Sequence, residues 1–153
     1  MKKYPPVEKI YEAWSAVADG RVSMGTNRAT VASSNRAREY VVSWDEKTYS
    51  SNDNATIWQG YAGYPVIAVL MLQDELPLDE EVAGLFKGIN WTKANTEAKR
   101  DYAKAVDSVF VRLGIDETKQ TEIRTKAAHV LETLKALDVA IKRSSPRKSH
   151  NSA

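Results

Sequence analysis

Val7, Ile10, Tyr11, Trp14 and Val17 recur at the three- and four-residue spacing of a helix. Pro5 and Pro6 suit its first turn, and Asp19-Gly20 closes it, because glycine takes the left-handed cap without a Cβ clash. The period then changes. Val22 and Met24, Ala29 and Val31, then Tyr40, Val42 and Trp44 alternate with polar neighbours, as half-buried strands do. The turn-forming runs at 25–27, 34–37 and 45–47 are too short for anything but antiparallel neighbours. The pattern predicts a three-strand meander, with 49–51 as a fourth strand.

Past residue 51 the strand signal fades. Ser51-Asn52-Asp53-Asn54 can cap a short helical turn through Ile57, Trp58 and Tyr61, and Pro65 opens a buried helix over 66–73. Val82, Leu85 and Phe86 mark a short helix ended by Gly88. One longer helix is expected over about 95–113, with Ala98, Tyr102, Val106, Val109, Phe110 and Leu113 inward and Gly114 as its stop. Asp116 then caps the most regular element, in which Ile123, Ala127, Val130, Leu134, Leu137 and Ile141 form a heptad-type seam. Residues 144–153, basic and rich in serine, cannot bury a face and are expected to form a disordered basic tail. The resulting expectation is a single α+β domain over 1–143: an N-terminal helix, an antiparallel three- to four-strand meander, and several helices ending in a long C-terminal one.

Composition bounds the chemistry. The 153 residues contain no cysteine, which removes disulfides, Cys-ligated zinc and Cys nucleophiles, and only His129 and His150 among histidines. The net charge of +2 owes everything to the end of the chain, since the acid-free stretch 142–153 holds Lys142, Arg143, Arg147 and Lys148. That is a weak excess for a dedicated nucleic-acid binder. The longest uninterrupted apolar run, 66–72, is far short of the ~20 residues that cross a bilayer. Met1-Lys2-Lys3 leads into Tyr4-Pro5-Pro6 instead of a secretory apolar stretch, so a cytoplasmic location without membrane contact is expected.

Three clusters could carry function. In Trp58-Gln59-Gly60-Tyr61-Ala62-Gly63-Tyr64-Pro65, the aromatics Trp58, Tyr61 and Tyr64 could line a ligand pocket, glycine allowing close backbone approach. The plainer reading is a tight loop packing its rings on the core. Arg21, Arg28, Arg36 and Arg38 lie in the meander with no acid between Asp19 and Glu39, and could track a nucleic-acid backbone. Against that, Arg21 is expected to face solvent and Arg36 to sit at a hairpin tip. Finally, a helix over 117–142 would outrun its predecessor and leave Leu134, Leu137 and Ile141 as an apolar interface for a homodimer, unless the N-terminal helix or the sheet covers them.

The order Ser51-Asn52-Asp53-Asn54, Trp58-Gln59-Gly60-Tyr61, Gly63-Tyr64-Pro65 and Leu70-Met71-Leu72, continuing with Glu80-Glu81, Lys87-Gly88-Ile89 and Trp91, resembles small uncharacterised archaeal proteins. The likeness covers about 7–112. It implies a cytosolic archaeal origin and no assigned reaction or ligand. No phosphate-cradling glycine motif occurs. The acids Asp74, Glu75, Asp79, Glu80 and Glu81 read as a helix start, not a metal site. Asp53 reads as a loop former and His129 as a flank residue, so neither a metal nor a cofactor is expected. The favoured expectation is a cytosolic binding or interaction protein without catalysis, its partner an unknown small molecule or protein. A nucleic-acid-associated protein using the arginines and the basic tail comes second, and a carboxylate-based enzyme third.

Overall fold

The computed structural model describes residues 3–143; the tail expected at 144–153 lies outside them. Helix α1, Glu8–Ala18, is followed by β1 (Val22–Met24), β2 (Arg28–Ala32), β3 (Glu39–Asp45) and β4 (Thr48–Ser51). After a π-helical turn at Ala55–Gln59 come α2 (Tyr64–Leu72), α3 (Glu80–Leu85), α4 (Trp91–Glu97), α5 (Tyr102–Leu113), α6 (Glu117–Ala136) and β5 (Ala140–Arg143). The five strands form one sheet in sequence order. The fold is α+β, as the periodicities imply.

Strands β1 to β4 pair as an antiparallel meander, with Ala29 opposite Val42 and Trp44 opposite Tyr49. Alternation puts Ala29, Val31, Val42 and Tyr49 on the buried face. The outer face carries Arg28, Thr30 and Val41, and Ser43 and Ser50 share a hydrogen bond across it at 3.0 Å. Helix α2 is apolar all round and buried from Pro65 to Met71, so it forms the middle of the core between the sheet and α1.

Around α1 the core is aromatic. Phe86 lies 5.4 Å from Tyr11, 5.9 Å from Trp14 and 6.1 Å from Phe110, ring centre to ring centre. Ser15 ties this cluster together: its hydroxyl donates to the Phe86 carbonyl and accepts from the Trp91 indole, each at 2.7 Å.

Three expectations need correction. The single helix over 95–113 is two helices, because Lys99 and Arg100 both take positive φ (54° and 65°) and Asp101 caps a new start on the amide of Lys104. The last helix ends at Ala136, so Ile141 belongs to a strand and not to a helical seam. That strand, β5, adds a fifth, parallel partner at the edge of the antiparallel meander. Finally, the seam is not exposed. Leu134 is buried, and Leu137 and Ile141 are half-buried in an apolar groove they share with Tyr4, Pro5, Ala62 and Val139. The N-terminal segment crosses the end of α6, where the Tyr4 hydroxyl donates to the Lys135 carbonyl at 3.4 Å. Part of the cover therefore comes from within the chain.

A charged cavity between the first helix and the sheet

Helix α1 is buried continuously from Lys9 to Ala16, so this stretch has no solvent face for its polar residues. Lys9 and Glu12, one turn apart, therefore enter the interior together and pair at 3.4 Å. Lys9 also sits 4.2 Å above the Tyr102 ring, and Asn95 of α4 donates to the same Glu12 oxygen at 3.5 Å. Burial pushes the Glu12 carboxyl up from its ordinary value; Lys9, Asn95 and Arg21 oppose this without overcoming it.

Arg21 arrives by way of the helix cap. Gly20 takes φ of 66°, and the Arg21 amide returns to the Ala16 carbonyl at 3.0 Å, which folds the chain back beneath α1. The side chain, expected in solvent, is only 1% exposed. The residue precedes the strand, so the alternation of β1 does not govern its direction. Its Nε donates to Asp19 at 3.0 Å and its Nη1 to the Ala32 carbonyl at 2.6 Å; Nη2 is buried and makes no hydrogen bond.

A third wall comes from the loop after β4. Asp53 is buried and accepts from the Ser51 hydroxyl, the Thr56 hydroxyl and the Thr56 amide. These bonds set the start of the π-helical turn, a rare form that recurs at functional sites. Gly63 lies flush on the carboxylate: a Cβ there would sit 2.1 Å from an Asp53 oxygen. From β5, Arg143 donates to the Ile57 and Trp58 carbonyls at 2.9 and 2.6 Å, supplying partners to the turn's free carbonyls.

These elements enclose a cavity of about 160 Å³, lined among others by Lys9, Glu12, Arg21, Asp53, Tyr64 and Trp91. Tyr40 and Tyr64 meet edge to face across it at 6.3 Å. Its rim is closed by Ser34, which accepts from the Thr92 amide at 3.2 Å and so joins the β2–β3 turn to α4. Burial holds the Tyr64 phenol far above its ordinary value, Arg21 pulling the other way.

Of the three aromatics singled out in the loop, only Tyr64 lines this cavity. Trp58 is 62% exposed on the π-helical turn, and Tyr61 is half-buried elsewhere on the loop. Arg28, Arg36 and Arg38 are exposed, Arg36 in a turn with φ of 59°, while Arg21 is withdrawn from them. Asp79 caps α3 and is held below its ordinary value by a hydrogen bond from Lys126 and by the Val82 amide. Among the described residues, no group of three or more His, Cys, Asp or Glu side chains is placed to hold a metal. No helix among them is long and apolar enough to cross a membrane.

Sequence reasoning missed Lys9, Glu12, Trp91 and Asn95. The first two had a signal: Lys9 and Glu12 sit among Ile10, Tyr11, Ala13 and Trp14, apolar positions that spread round the helix and leave polar residues nowhere to go.

Among known proteins, the family model described as uncharacterised conserved protein UCP014422 matches residues 2–140. This extends the likeness noted over 7–112 into α6. No curated protein and no solved structure matches the chain.

Proposed function

The chain belongs to this uncharacterised conserved family, and we propose for it a non-catalytic binding role in which the cavity between α1 and the sheet takes a small polar molecule. One observation carries the reading: α1 and the segment after it bury a Lys9–Glu12 ion pair and the Arg21 guanidinium around open space. Burying charge costs several kcal/mol per ion, and apolar residues of like volume often stabilise a core at least as well. Charged groups that converge on a cavity from separate elements therefore suit recognition better than folding. Both carboxylates in the lining are already engaged, Glu12 by Lys9 and Asn95 and Asp53 by three donors, which favours holding a ligand over acid–base chemistry. A cytoplasmic, archaeal setting belongs to the same proposal.

The test is a metabolite and fragment screen followed by protein NMR. Binders are expected to shift the Trp91 indole proton and the amides of Ser33, Ser34 and Asn95 together. A screen in which every binder shifts other regions, or none binds below millimolar concentration, removes the reading.

The nucleic-acid alternative has less support. Arg28 is on the outer face of the sheet, whereas Tyr40 and Trp44 lie on the inner one, with Trp44 stacked on Tyr49 at 5.9 Å. Backbone contacts and stacking platforms thus fall on opposite sides. Mobility-shift titrations with DNA and RNA should find nothing tighter than the micromolar, non-specific range at physiological salt. A tight, salt-sensitive complex abolished by Arg28→Ala plus Arg36→Ala would reverse this.

A further inference from the structure

Each acid around the cavity accepts at least one hydrogen bond, although among the described residues none reaches Glu12 Oε1. Glu12 Oε2 accepts from Lys9 and Asn95, and Asp53 takes three hydrogen bonds from Ser51 and Thr56. Asp19, beside Arg21, accepts from its Nε through one oxygen and from the Gly88 amide at 2.7 Å through the other. Among the donors, Nη2 of Arg21, a side chain 1% exposed, carries two N–H groups and makes no hydrogen bond. The Tyr64 phenol lies near enough to feel the Arg21 charge, short of a well-formed bond. A buried, charged donor left unmet is costly, and an acceptor brought by a ligand would offset that cost.

We propose that the ligand of this cavity carries a carboxylate, which docks on the Nη2 edge of Arg21 with Tyr64 as a second donor. This rests on the cavity being a binding site, as inferred above. Two features favour a planar monoanion over a phosphate. Glu12 and Asp53 balance Lys9 and Arg21 around the same space and Asp19 flanks the guanidinium, so no positive charge is left over and a dianion would meet more repulsion than a monoanion. The guanidinium itself is flat and matches carboxylate oxygens. Size follows from the volume: about 160 Å³ is close to the ~150 Å³ that accommodates a benzene molecule. The ligand is therefore an acid of about one six-membered ring, or a short chain of similar bulk, resting against Tyr40, Tyr64 and Trp91.

The experiment is calorimetric titration of the full chain with sodium benzoate, its neutral isostere benzamide, benzylamine, and inorganic phosphate, with sodium chloride as the salt control. Benzoate is expected to bind at least tenfold tighter than the other three and to shift the Trp91 indole proton. Arg21→Gln should abolish that preference. Because loss of Arg21 could also unfold the protein, Tyr64→Phe serves as the second variant; it removes one donor, keeps the ring and should narrow the preference severalfold. If benzamide or benzylamine binds in the cavity as well as benzoate does, or phosphate binds better, the carboxylate assignment falls while the cavity remains a binding site. If none of the probes shifts Trp91, the carboxylate assignment falls, and the wider screen decides separately whether the cavity binds any small molecule.

Discussion

Gly63→Ala is expected to cost about 3 kcal/mol, at the upper end of the range for overpacking a filled interior. The backbone is not the reason, since φ of −73° and ψ of 173° suit any residue. The cost is steric: the new methyl would sit 2.1 Å from one Asp53 carboxylate oxygen and 2.9 Å from the carboxyl carbon. Asp53 cannot retreat without giving up hydrogen bonds from Ser51 and Thr56, and Gly63 itself donates its amide to the Thr56 hydroxyl at 3.2 Å. In a chain of this length the loss corresponds to roughly 6–12 °C in Tm. Urea denaturation would measure it, and the same substitution in an Asp53→Ala background should cost much less, because the clashing group is gone. Equal costs in both backgrounds would mean that Asp53 is not what holds Gly63.

Phe86→Ala should be more damaging still, by roughly 3–5 kcal/mol, the range for removing a large buried ring. Phe86 is fully buried and meets four other rings: Tyr11, Trp14, Trp91 and Phe110. The cavity left behind would be bounded by α1, α4 and α5, and α1, packed on α2 and α6 as well, cannot move in without breaking those contacts. Phe86→Leu, which refills most of the space, should lose less than half as much. Similar losses for the two variants would place the energy in ring–ring geometry instead of volume.

Local pattern reached the elements whose signals are local. The period of α1, the alternation of β2 and β3 and the Asp116 cap of α6 are visible in consecutive residues, and each forms where that pattern puts it. What depended on distant packing was not visible. Lys99 and Arg100 carry no glycine signal, yet both take the left-handed conformation that separates α4 from α5. Ala140–Arg143 continues the heptad spacing, so only the free edge of β4 distinguishes strand from helix there. The charged cavity was least legible of all. Its lining spans Lys9 to Asn95 and draws on a loop, three helices and the sheet. Of the aromatic loop, the residue most conspicuous in sequence, Trp58, points outward, and the less conspicuous Tyr64 lines the site.

The parallel pairing of β4 with β5 bears on how the chain is made. Lys47 and Asp138, which meet at the start of that pair, are 91 residues apart in sequence. A ribosome adding ~5–20 residues per second needs roughly 5–18 s to cover that distance. Through that interval the meander can form, but the outer edge of β4 stays open, and Arg143 is not yet present to hold the turn at Ile57 and Trp58. Joining such distant segments also carries the chain-closure penalty that slows folding of non-local sheets. The nascent protein thus passes through a stage with an unpaired strand edge, the kind of surface on which chains associate wrongly. Thr48, Ser50 and Ser51 keep that edge polar apart from Tyr49, which lowers the hazard while synthesis catches up.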